Sequence, residues 1–133
     1  MPDMTILPKQ TWANSLTEPE TLSEARSDGP DGPVVELTLN AVPELFQFQG
    51  HFPDEPILPG VAQVDWAARL SRQYFGTKCE IQKLGQLKFS KLIRPGGALS
   101  LRLVFDEGRR RITFTYDDGT EVCSSGYLEL GPE

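Results

Sequence analysis

The stretch that most constrains this chain is Gly50-His51-Phe52-Pro53-Asp54-Glu55-Pro56-Ile57-Leu58-Pro59-Gly60, followed by Val61-Ala62-Gln63-Val64-Asp65. Its three prolines each hold φ at about −65° and remove a backbone donor, so residues 53–59 are predicted to form a stiff loop, neither a helix nor a central strand. Gly60 releases the chain into Val61–Phe75, which has no proline or glycine and a helical spacing of apolar residues. The chain's one histidine, His51, therefore stands just before a rigid loop, with Asp65 on the helix that follows.

The chain has 133 residues, the size of one domain with a genuine core. A net charge of −6 argues against nucleic acid or an anionic membrane as the main partner, because phosphate contacts need a basic face. No apolar run approaches the roughly 20 residues that cross a bilayer. With an acidic Met1-Pro2-Asp3-Met4 opening in place of a signal peptide, and only Cys79 and Cys123, the expectation is a cytoplasmic protein with reduced thiols.

Residues 1–33 read as an N-terminal segment of uncertain order, polar and proline-rich, with a short helix over Thr17–Arg26 as one option. The folded domain is expected over 34–133. From Val34, alternation puts Val35, Leu37 and Leu39 on one face, the mark of a half-buried strand. Glu44–Phe48 alternates again and leads into His51. The helix 61–75 carries apolar residues around most of its circumference, which predicts a central, mostly buried helix ended by Gly76. Strands follow over Glu80–Lys91, Ala98–Phe105, Arg110–Tyr116 and Glu121–Leu130, joined by Arg94-Pro95-Gly96-Gly97, Asp106-Glu107-Gly108 and Asp117-Asp118-Gly119 turns. One helix and an antiparallel meander make an α+β design in which the sheet wraps the helix.

Imidazole is the side chain whose ordinary pKa suits base work near neutrality, and His51 is the chain's only one. Asp65 lies about one and a half turns into the helix, at ~1.5 Å per residue. Buried there, its carboxyl would hold a proton, and a base paired with such an acid is the equipment of an elimination or hydration. The Gly60 and Val61 amides open the helix, where unpaired N–H groups favour a developing oxyanion, and Gly60 lacks the Cβ that would keep a carbonyl away. The competing readings are a turn-capping His51, a solvated Asp65 and a Gly60 that merely starts the helix. Cys79 and Cys123 read as inert strand residues, and one histidine with two distant cysteines makes no zinc site. Lys83, Lys88, Lys91, Arg94 and Arg102 form either a solvated face or a rim for an acidic partner.

Gly50-His51-Phe52-Pro53, then Pro56, then Pro59-Gly60-Val61, with an acid fourteen residues after the histidine, resembles the signature of the 3-hydroxyacyl-acyl-carrier-protein dehydratases. Leu87-Lys88-Phe89 and Arg94-Pro95-Gly96-Gly97 extend the likeness across about residues 34–130. The resemblance implies a single hotdog domain and a homodimer paired edge to edge, each site taking histidine from one subunit and acid from the other. It implies His51 as the base, Asp65 as the acid and the Gly60 amide as the holder of the thioester carbonyl. An acyl tunnel would be lined by residues such as Phe52, Val61, Val64 and Phe89, with acyl carrier protein as partner and no metal or redox cofactor.

Asp rather than Glu at position 65 is what the isomerising branch of that family carries, on that residue alone. The Val61-Ala62-Gln63-Val64-Asp65-Trp66-Ala67 wording is closer to the stand-alone dehydratases of aryl-polyene and related polyketide pathways. Two other classes stay open: a hotdog thioesterase, which normally lacks the His-Phe-Pro loop, and a non-catalytic acyl-binding subunit.

Overall fold

The structure, a computed structural model, describes residues 19–41 and 57–132. Strands β1 (Glu20–Gly29) and β2 (Gly32–Ala41) precede helix α1 (Gly60–Phe75). Strands β3 (Ile81–Phe89), β4 (Gly97–Asp106), β5 (Arg111–Asp117) and β6 (Val122–Leu130) follow it. All six strands form one antiparallel sheet in the order β1-β2-β4-β5-β6-β3.

The alternation read from Val35, Leu37 and Leu39 sets the inner face of β2, and the same period continues through Leu99, Leu101 and Leu103 of β4 and Ile112, Phe114 and Tyr116 of β5. Register turns these into rows across the sheet. Leu37 pairs with Leu101, Leu101 with Tyr116 and Tyr116 with Ser124, a row that is apolar at one end and polar at the other. Each fully buried aliphatic side chain in such a row contributes about 1.5–3 kcal/mol. Register shifts at Thr21/Ser23, Ile81/Lys83, Gly85/Lys88 and Tyr116/Asp117 bend the strands, so that the sheet curls over the helix as the α+β reading expected.

Three expectations are corrected. Residues 20–26 are strand, not part of a short helix, and the sheet starts at Glu20 rather than Val34. Strand β1 is exposed along most of its length, so its sequence shows no apolar alternation; backbone pairing with β2 through the Pro30-Asp31 turn decides its state. Helix α1 is not buried all round: Ala62, Gln63, Trp66, Ala67, Leu70 and Ser71 form its inner stripe, while Val61 is 78 % exposed and Arg69, Arg72 and Gln73 face outward. Finally, Cys79 lies in the connection before β3, not on a strand.

The expected helix stop is present: Gly76 adopts φ 69° and returns its N–H to the Arg72 carbonyl at 2.9 Å. The β5–β6 turn also holds as read. Asp117 Oδ1 accepts from the Gly119 N–H, and Asp118 Oδ1 accepts from Thr120 and Glu121 amides. The β4–β5 turn instead extends to Arg110, whose φ of 54° is left-handed. The strand expected over Glu44–Phe48 lies outside the described residues. No described helix is long and apolar enough to cross a membrane.

Candidate active site

Helix α1 begins without a side-chain cap. Pro59 occupies the N-cap position at φ −62° and ψ 152°, and its carbonyl accepts the N–H groups of Ala62 and Gln63, each at 3.1 Å. The first turn carries no acidic residue. The Gly60 and Val61 amides precede the first intrahelical bonds and have no acceptor within the helix. A Cβ on Gly60 would stand 3.0 Å from two atoms of the Phe89 ring, which places that ring, at the end of β3, against the start of the helix.

The structure thus brings together Gly60, Val61 and Phe89 of the expected set. Val64 packs partly buried against the core. Asp65 follows Val61 by one helical turn on the outward stripe that continues to Arg69. Its side chain is 45 % exposed and its Oδ2 accepts from Arg69 Nε at 3.0 Å. The expectation of a carboxylate enclosed by apolar neighbours does not hold within one chain, because the apolar residues beside it in sequence point inward. His51 and Phe52 lie outside the described residues.

The expected basic rim is divided. Lys91 bridges Asp118 and Glu121, which fastens the β5–β6 turn to the segment after β3. Those partners hold the Lys91 ammonium well above its usual range, and Lys91, first of several hydrogen bonds, holds the Asp118 carboxyl well below its own. Arg102 faces Glu36 at 3.8 Å across β2–β4, with β5 and β6 between it and β3. Lys83 and Lys88 stay exposed on the edge strand. Cys123 is buried, and burial pushes its thiol up, in keeping with an inert residue. Cys79 is partly exposed and its Sγ accepts from Arg110 Nη2 at 2.9 Å.

A polar group under the helix was not foreseen. Gln63, 3 % exposed, donates from Nε2 to the Leu58 carbonyl at 3.0 Å and accepts at Oε1 from the Ser124 hydroxyl at 2.6 Å. The Tyr116 hydroxyl donates to the Gln63 carbonyl at 2.6 Å. Burial, and next the Asp65 charge, push the Tyr116 phenol well up, so it stays a donor. The available signal was a glutamine on the inward stripe, one turn before Ala67.

Comparison with known proteins bears on the same elements. Residues 26–127 match the ApeI dehydratase family. A 3-hydroxyacyl-[acyl-carrier-protein] dehydratase FabZ of Levilactobacillus brevis is 35% identical over 105 residues, covering 74% of this chain and 67% of that one. Among solved structures, the dehydratase heterocomplex ApeI:P from Xenorhabdus doucetiae superposes with a TM-score of 0.76 at 30% identity, covering 86% of this chain and 99% of that one. An uncharacterised protein from Erwinia carotovora gives 0.77 at 34%, covering 86% and 96%. The family match spans β2, α1 and β3 through β5, the elements that carry the Pro59–Gly60 helix start, Asp65 and Phe89. With the curled sheet around α1, it establishes that the chain belongs to the ApeI-like 3-hydroxyacyl thioester dehydratases of hotdog fold.

Proposed function

We propose that this chain converts a 3-hydroxyacyl thioester, tethered to acyl carrier protein, into the trans-2-enoyl thioester and water, as a step of aryl-polyene or related acyl-chain synthesis. His51 removes the α-proton. The charge that develops on the thioester oxygen is received by the Gly60 and Val61 amides. As the Cα–Cβ double bond forms, the Cβ–O bond breaks and Asp65 gives the departing hydroxyl its proton. The observation that carries this reading is the uncapped start of α1: two amides without intrahelical acceptors, a residue without a side chain, and an aromatic ring beside them.

The outward aspect of Asp65 supports a site completed by a second copy of the chain. Val61, Asp65 and Arg69 face away from their own core, and edge strand β3 leaves Leu84, Leu87 and Phe89 between 41% and 49% exposed. Pairing of two chains along β3 would cover these residues and exclude water around Asp65, which the acid step calls for. Each site would then take Asp65 from one subunit and His51 from the other. The acyl chain would run past Phe52, Val61, Val64 and Phe89, and Lys83 and Lys88, exposed on β3, would meet a carrier protein.

The test is mass-spectrometric. Purified protein is incubated with 3-hydroxyacyl carrier proteins of several tail chemistries, and loss of water from the carried chain is followed. Wild type yields the enoyl product, and His51→Ala folds without turnover. Release of free thiol with no enoyl product would replace this reading with thioester hydrolysis.

A further inference from the structure

Two residues at the start of α1 have little means of orienting themselves. Pro59 has no N–H, and Gly60 has no side chain. The direction of the Gly60 N–H is set by the Pro59–Gly60 peptide plane, in which that N–H points opposite to the Pro59 carbonyl. Whatever grips the two peptides flanking Pro59 therefore aims the Gly60 donor.

Gln63 takes part in both grips. Its backbone N–H donates to the Pro59 carbonyl at 3.1 Å, with the Ala62 N–H beside it, and so holds the Pro59–Gly60 plane. Its side-chain Nε2 donates to the Leu58 carbonyl at 3.0 Å and holds the Leu58–Pro59 plane. The Leu58 carbonyl only accepts, so the amide orientation is fixed: Nε2 faces Leu58 and Oε1 faces the Ser124 hydroxyl. Gln63 is in turn held to the sheet at two points, Ser124 of β6 through its side chain and Tyr116 of β5 through its carbonyl, both at 2.6 Å. The Leu58 N–H completes the clamp by donating to the Ile93 carbonyl at 2.8 Å.

Burial gives these contacts their effect. Leu58, Gln63, Tyr116 and Ser124 are each no more than 3 % exposed, so water does not replace a lost partner. Ser71, the other buried polar residue on the described helix, is satisfied within its own helix, its hydroxyl donating to the Ala67 carbonyl at 2.6 Å. Gln63 instead spends its side chain on the segment before the helix and on the sheet.

We infer that Gln63, braced by Ser124, is a positioning residue that aims the Gly60 amide at the thioester oxygen. This rests on the dehydratase reading above, in which that amide meets the developing charge. Gln63 touches no substrate. It acts in the transition state through Gly60, so its loss lowers kcat and leaves KM nearly unchanged.

The experiment uses three variants of the full chain. Gln63→Met keeps the volume and removes both side-chain bonds. Gln63→Glu, assayed at a pH where its buried carboxyl is ionised, keeps an acceptor for Ser124 and sets a carboxylate oxygen against the Leu58 carbonyl. Ser124→Ala removes the brace and leaves the grip on Leu58. Turnover of a 3-hydroxyacyl carrier protein is measured together with hydrogen exchange at the Leu58 amide, with Leu101 of the sheet as the internal control. Both Gln63 variants should lose on the order of 10–100-fold in kcat with KM within about twofold, and Ser124→Ala should lose less, in line with the sensitivity of catalysis to small misplacements. Leu58 exchange should rise in the Gln63 variants while Leu101 stays protected. Wild-type kcat in Gln63→Glu despite faster Leu58 exchange would overturn the inference, as would a rise in KM at constant kcat. If Gln63→Met does not fold, Gln63→Glu and Ser124→Ala carry the same decision. If the wild-type chain shows no dehydration, the proposed function falls, and Leu58 exchange still decides separately whether Gln63 holds the helix start.

Discussion

Substituting Gly60 by alanine should separate stability from activity. Gly60 is helical, so alanine adopts its backbone without strain, and the change of propensity favours the variant by up to about 1 kcal/mol. Against this, the new methyl would lie 3.0 Å from two Phe89 ring atoms and 3.4 Å from a third, so the ring must withdraw by a few tenths of an ångström. Phe89 is 49 % exposed on an edge strand and has room to do so, at a cost of about 0.5–1.5 kcal/mol for a displaced rotamer. The two effects nearly cancel. The melting temperature should stay within about 4 °C of wild type, the shift that ~1 kcal/mol produces in a domain of this size. Activity should not survive as well, because the methyl and the displaced ring occupy the approach to the Gly60 amide. A fall in kcat/KM of ~10²-fold is expected, of the order seen when an oxyanion donor is lost. Thermal denaturation by circular dichroism and a steady-state dehydration assay on the same preparation supply both readings. Unchanged kcat/KM would refute the claim that a carbonyl closes on Gly60, and a drop in melting temperature beyond about 8 °C would refute the packing argument.

Trp66→Ala empties the largest fully buried side chain at the helix–sheet contact and should cost about 3–5 kcal/mol by urea denaturation. Gly85→Ala would drive a Cβ into the Tyr127 ring, which also lies 4.2 Å from the Arg111 guanidinium carbon. That overpacking should cost about 1–3 kcal/mol, measured the same way. The lowered Asp118 carboxyl contributes stability that is fully present above its ordinary value of 3.8 and is lost as pH falls through its folded value. Asp118→Asn should therefore lose less stability than wild type on acidification below about pH 4, by a small margin because the Lys91 pair is open to solvent. Urea midpoints along a pH series read this directly.

The core of the sheet was legible because period-two alternation survives wherever one face is buried, as in Leu99-Ser100-Leu101-Arg102-Leu103. Strand β1 was not, since exposure of Ser23, Glu24, Ala25 and Arg26 leaves no alternation to read. The helix bounds followed from Pro59 and Gly76, but its inward face did not: Val61 and Trp66 are both apolar, yet one points to solvent and the other into the core. Gly60 and Asp65 were readable from the Gly50–Asp65 signature. Phe89 came with the resemblance, whereas its seat on Gly60 depends on the curl that carries the end of β3 to the helix. Gln63 was hidden because its partners, Tyr116 and Ser124, lie 53 and 61 residues away. His51 and Phe52, which the sequence marks most strongly, lie outside the described residues.

Complementation between two inactive chains puts the shared-site dehydratase to its most direct test. His51→Ala and Asp65→Asn chains are purified separately, then co-refolded in equal amounts with a 3-hydroxyacyl carrier protein, and the enoyl product is followed by mass spectrometry. In a two-fold dimer with randomly mixed subunits, half the molecules pair unlike chains and each of those restores one of two sites, so activity should return to about a quarter of wild type. Either single variant turning over by itself, or a co-refolded mixture that stays inactive beside an active wild type, would contradict the account.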